Sequence, residues 1–82
     1  MKYKLYKDMV LLQDVPEHEL KAGDVVTLVE HHLHPKGGED GYSIEVFNSV
    51  GDTVAVTTVA ESWLAPLTAN DVPHVRRLET IK

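Results

Sequence analysis

Between residues 9 and 67 the apolar side chains come in short runs rich in valine and threonine, separated by glycine, proline and aspartate. This pattern is typical of β-strands broken by turns, and no segment there has helical spacing. It predicts five strands, at residues 9–13, 25–33, 42–48, 53–59 and 64–67. Five short strands suit a small closed or half-closed barrel, because closure removes exposed strand edges.

The connections between the strands support this interpretation. Pro16 fixes φ and has no amide hydrogen, so a loop should follow the first strand. A four-residue link containing Gly51 makes strands three and four the best-defined hairpin. Residues 60–63 fit one tight helical turn.

The chain forms a single domain of 82 residues, with a β-barrel over residues 1–67 and a tail over residues 68–82. The tail is either disordered or docked on the barrel or on a neighbouring subunit. A helix is one alternative for it, because Val75, Leu78 and Ile81 recur at a spacing of three. Hydrophobic residues make up 43% of the chain and charged residues 26%, which is the balance of a globular protein.

The charge is uneven and favours a protein partner. The net charge is −5, and residues 8–71 hold twelve acidic residues against two lysines. Such a body repels phosphate, which argues against nucleic acid as a partner. A basic protein is the better match, because complementary charge steers encounter.

Four acidic residues and one tryptophan are the candidate partner-binding residues: Asp14, Glu17, Glu19, Asp24 and Trp63. The acids surround the first loop, which is either a solvated loop or a face for a basic protein, as in an antitoxin or immunity protein. For Trp63 the alternative is packing in the core or at the barrel end.

A second candidate site lies at the end of strand two. Glu30, His32 and His34 alternate, so a regular strand points them to one face, where they could ligate a divalent metal. The alternative is a solvated strand end. His31 points to the other face unless the strand bulges.

Catalysis has no support in the sequence. Cysteine is absent, and the serines and histidines form no nucleophile motif, so we predict neither an enzyme nor a cofactor. The longest apolar run near the start is Met9–Leu12, too short for an export signal or a membrane span, so we expect a cytoplasmic protein without a membrane partner. Exposed strand edges and the tail also allow a homodimer.

A family resemblance supports this fold. It rests on the stretches Asp8–His18, Leu20–Glu30 and Tyr42–Phe47, with Gly51–Thr53 and Ala55–Val59. Over residues 5–67 the chain resembles a family of small bacterial proteins known only as a domain of unknown function, number 4926. The resemblance implies an SH3-like barrel and binding or antitoxin-like pairing with another protein, without catalytic residues. Val26 stands where relatives often have glycine, and the tail is not covered.

Overall fold

A single antiparallel sheet of five strands forms the framework of the computed structural model, which describes residues 1–79. The strands are β1 (Asp8–Leu11), β2 (Val25–His32), β3 (Gly41–Phe47), β4 (Thr53–Ala60) and β5 (Leu64–Pro66). Single 3₁₀ turns cover Pro16–His18 and Glu61–Trp63. The mainly β class is confirmed, and each predicted strand lies within two residues of the observed bounds.

The sheet does not close into a barrel. Its order is β4-β3-β2-β1-β5, and within the described residues β4 and β5 form its two free edges. Of the closed and half-closed barrels that the sequence allowed, the closed barrel is therefore wrong. β5 has only three residues and ends at Pro66, which has no amide hydrogen to donate to a further strand. Among residues 1–79 it pairs with β1 alone.

The hydrophobic core lies against one face of this sheet, where alternate residues of each strand are buried. Tyr42 is fully buried and is among the largest such side chains. Trp63 is half-buried and packs against the core, as the packing alternative expected. The buried core residues are Met9, Leu11, Val15, Leu20, Val26, Leu28, Tyr42, Ile44, Val46, Ala55, Val59 and Leu64.

A β-bulge interrupts β2 and changes which side chains face the core. The register with β3 shifts between Leu28 and Glu30, which leaves Val29 as the extra residue. Beyond the bulge His31 pairs with the buried Tyr42, and their rings lie 5.1 Å apart. Glu30 and His32 consequently lie on the outer face of the sheet.

The described part of the tail, residues 68–79, contains neither helix nor strand. The helix over Val75 and Leu78 is therefore wrong, and Ile81 lies outside the described residues. A turn at Thr68–Asp71 precedes Pro73, and the chain then returns along the β1–β2 loop, where Arg76 binds Asp24. Within residues 1–79, no helix combines the length and apolarity that a membrane span requires.

Candidate functional site: the acidic loop

The acidic loop, residues 12–24 between β1 and β2, is a folded structure anchored in the core. Val15 and Leu20 form an isolated β-bridge with two backbone hydrogen bonds of 2.9 and 3.1 Å. Both side chains are buried. The bridge encloses the 3₁₀ turn Pro16–His18 and places Glu19 in the left-handed region at φ 57°. The acidic side chains therefore project from a closed scaffold.

Two of the four acidic residues are held in place by amides of their own loop. The Ala22 amide donates to Asp14 Oδ1 at 2.9 Å, and the Lys21 amide donates to Asp24 Oδ2 at 2.8 Å. Glu17 is exposed on the 3₁₀ turn. Because hydrogen bonds to carboxylates are stronger than neutral ones, the loop orients its negative groups rather than leaving them free to rotate.

The tail supplies a cation that the Asp24 carboxylate binds. Arg76 donates from Nε to Asp24 Oδ1 at 2.9 Å and from Nη2 to Asp24 Oδ2 at 2.5 Å. Nη2 also donates to the Glu19 carbonyl oxygen at 2.8 Å, and the Glu79 amide donates to Glu19 Oε2 at 3.0 Å. The guanidinium is thus held by two parallel hydrogen bonds, the geometry that distinguishes arginine from lysine.

The ionisation of Asp24 reflects this contact. Partial burial acts to raise its pKa, but the hydrogen bonds from Arg76 and the Lys21 amide, together with the charge of Arg76, hold the pKa below its ordinary value of 3.8. A lowered carboxyl pKa stabilises the folded state above the unfolded-state pKa. The stabilisation is lost as the pH falls through the lowered value. At neutral pH Asp24 is therefore ionised, and its ion pair with Arg76 contributes its full stabilisation.

Three of the five predicted partner-binding residues come together around Arg76. Asp14 and Glu19 line a cavity of about 180 Å³ with the arginine, and Asp24 binds it directly. Trp63 lines neither this cavity nor the larger one beneath the tail. Its backbone oxygen accepts from the Leu12 amide at 2.7 Å. Sequence reasoning missed Arg76, because 52 residues separate it from Asp24 and no periodicity links them.

The candidate metal ligands come together only in part. Glu30 Oε1 lies 3.8 Å from His32 Nε2, which is also 2.7 Å from Ser43 Oγ. His34 lies past the end of β2, and its Nδ1 accepts from the Lys36 amide at 3.1 Å. Across residues 1–79 no cluster of three His, Cys, Asp or Glu side chains is arranged to hold a metal ion.

His31 has a structural role that the sequence did not indicate. Its Nε2 lies 3.0 Å from Asp40 Oδ2, and Asp40 Oδ1 accepts from the His34 amide at 3.3 Å. The hydrogen bond from His31 is the main cause that lowers the pKa of Asp40. These contacts close the loop between β2 and β3 at its base.

Together, the open five-stranded sheet and the arginine-binding loop describe a small β-domain with an ordered acidic surface. The chain belongs to the family described as Domain of unknown function (DUF4926), whose model matches residues 5–66. The family match ends at the last strand, so it includes the acidic loop and excludes the tail that carries Arg76. No curated protein and no solved structure matches the chain.

Proposed function

We propose that this protein is a non-catalytic binding module of the cytoplasm whose acidic loop binds a basic protein, in the manner of an antitoxin or immunity protein. The observation that supports this most is the bidentate contact between Arg76 and Asp24, because it demonstrates that the loop accepts a guanidinium. An arginine of a partner could bind the same pair of oxygens once it has displaced Arg76.

The surrounding charge favours the same chemistry. Asp14, Glu17 and Glu19 accompany Asp24 on one loop that contains a single lysine and no arginine, and the net charge of the whole chain is −5. A surface of one sign accelerates encounter with a partner of opposite sign and disfavours partners of like sign. This association should therefore weaken as salt concentration rises.

Charge reversal within the loop tests the proposal. In a pull-down from native cytoplasm at low salt, we expect a stoichiometric basic partner for the wild type and at least about tenfold less of it for Glu17→Lys, because like charges repel across the interface. Glu30→Lys is the matched control, since it makes the same charge change near the other end of β2. Equal recovery with both variants, or no stoichiometric partner at all, would contradict the proposal.

A second candidate function is divalent-metal binding at the outer end of β2, which the proximity of Glu30 and His32 supports. His34 would have to leave the Lys36 amide to complete the set. In a zinc titration, this function predicts saturable binding that weakens about tenfold or more in His32→Ala and is unchanged in His18→Ala. Binding no tighter than about 10 μM, or insensitive to His32→Ala, would eliminate it.

A further inference from the structure

An apolar groove runs beneath the tail on the face of the sheet opposite the core. Val10 on β1 pairs with Val25 on β2, and both alternate with buried residues. Phe47 at the end of β3 also lines this groove. So does Val54, the extra residue of a β-bulge where β4 pairs with the end of β3. Val25 is 43% exposed and Phe47 47% exposed. Large apolar side chains exposed side by side characterise interaction surfaces.

The tail passes over this groove without filling it. Val72–Val75 and Leu78 line the opposite side of a cavity of about 670 Å³, a size typical of ligand sites. Val72 and Val75 are nevertheless 84% and 76% exposed. The tail is thus held mainly by the polar contacts of Arg76 and Glu79, and the apolar wall stays open to a better-fitting occupant.

The negative charge at one end of the groove indicates the chemistry of that occupant. The groove ends at Asp24, whose carboxylate binds a guanidinium through both oxygens. Beside it, the backbone carbonyl of Glu19 accepts a hydrogen bond from Arg76. The Glu19 carboxylate accepts one from the main-chain amide of Glu79. An amide contact does not depend on the side chain that follows. The pattern therefore fits an extended segment with one arginine and large apolar neighbours.

We propose that this groove binds an extended, arginine-bearing segment of another protein and that residues 72–79 of this chain are its resident internal ligand. This inference rests on the proposed function and names its partner and its regulation. A partner must displace Arg76 from Asp24. Only molecules with an undocked tail can bind the partner, so the partner's apparent affinity falls as the docked fraction rises.

A labelled peptide copying residues 70–79 is the probe, measured by fluorescence anisotropy against the full chain at low salt. The wild type should bind it weakly, because its own tail competes at high effective concentration. Arg76→Gln should bind about fivefold more tightly, which corresponds to losing one exposed ion pair of about 1 kcal/mol. Arg77→Gln is the matched control: it has the same net charge as Arg76→Gln, and we expect wild-type affinity.

Asp24→Asn separates the groove from its regulation. The asparagine keeps an oxygen for the Lys21 amide but loses the charge that binds arginine, so probe binding should fall below that of Arg76→Gln. Equal affinity of Arg76→Gln and Arg77→Gln, with binding still sensitive to Asp24→Asn, would overturn the internal ligand alone. Binding by none of these proteins, or binding unaffected by Asp24→Asn, would overturn the groove as well. The proposed function itself fails only on the Glu17→Lys pull-down.

Discussion

Replacing Tyr42 with alanine is expected to remove a large part of the domain's free energy of unfolding. The side chain is fully buried between β2 and β4, and its hydroxyl accepts from the Tyr3 amide at 3.0 Å and donates to Glu61 Oε2 at 3.3 Å. Removing a buried aromatic ring costs about 3–5 kcal/mol. A domain of this size has a free energy of unfolding of only about 4–12 kcal/mol. Urea unfolding followed by circular dichroism measures the loss.

Tyr42→Phe is the matched control for this substitution. It keeps the ring and deletes the hydroxyl, which leaves the Tyr3 amide without its acceptor, so we expect a loss of about 1–2 kcal/mol and a folded protein. If Tyr42→Ala destabilises the domain no more than Tyr42→Phe, the ring is not the centre of the core.

The second large effect is expected at Leu20, which ties the acidic loop to the core. The side chain is 1% exposed, and its backbone forms the bridge with Val15. Leu20→Ala should lower the free energy of unfolding by about 2–5 kcal/mol, because it opens a cavity beneath the loop. It should also weaken the site, since Glu19 and Asp24 lie on either side of this anchor. Urea unfolding and binding of the tail-derived peptide measure the two effects.

Leu33→Ala removes the same atoms from a side chain that is 75% exposed. It should change stability by no more than about 0.5 kcal/mol and leave peptide binding unchanged. Similar losses at Leu20 and Leu33 would contradict the anchoring role of Leu20.

The strands could be predicted because their information is local. β3 and β4 are rich in valine, threonine and alternating apolar residues, and a glycine-containing turn separates them. These signals require no knowledge of the rest of the fold. Strand alternation also placed Glu30 and His32 on one face, but their position on the outer face depends on a bulge in β2. The bulge at Val29 could not be predicted, because it depends on the register with β3.

Features that depend on contacts between distant parts of the chain could not be predicted from the sequence. Whether the five strands close into a barrel depends on the length and the pairing partners of β5. Neither can be predicted from the sequence of its three residues. The acidic loop could be identified from composition, but its cation could not, since Arg76 reaches Asp24 only after the chain has crossed the whole sheet. The helical alternative for the tail rested on three apolar residues. No turn of helix formed over Val75 and Leu78. Arg76, between them, binds Asp24 of the acidic loop.

The free edge of β4 has a consequence for how this protein behaves in concentrated solution. Eight residues, Thr53–Ala60, pair with β3 on one side, and no strand within residues 1–79 covers the other side. The segment contains no charged residue and no proline, the usual gatekeepers against strand-to-strand addition. Two copies meeting at this edge would extend the sheet across a twofold axis, so the same main-chain groups provide a route to an ordered pair and to aggregation.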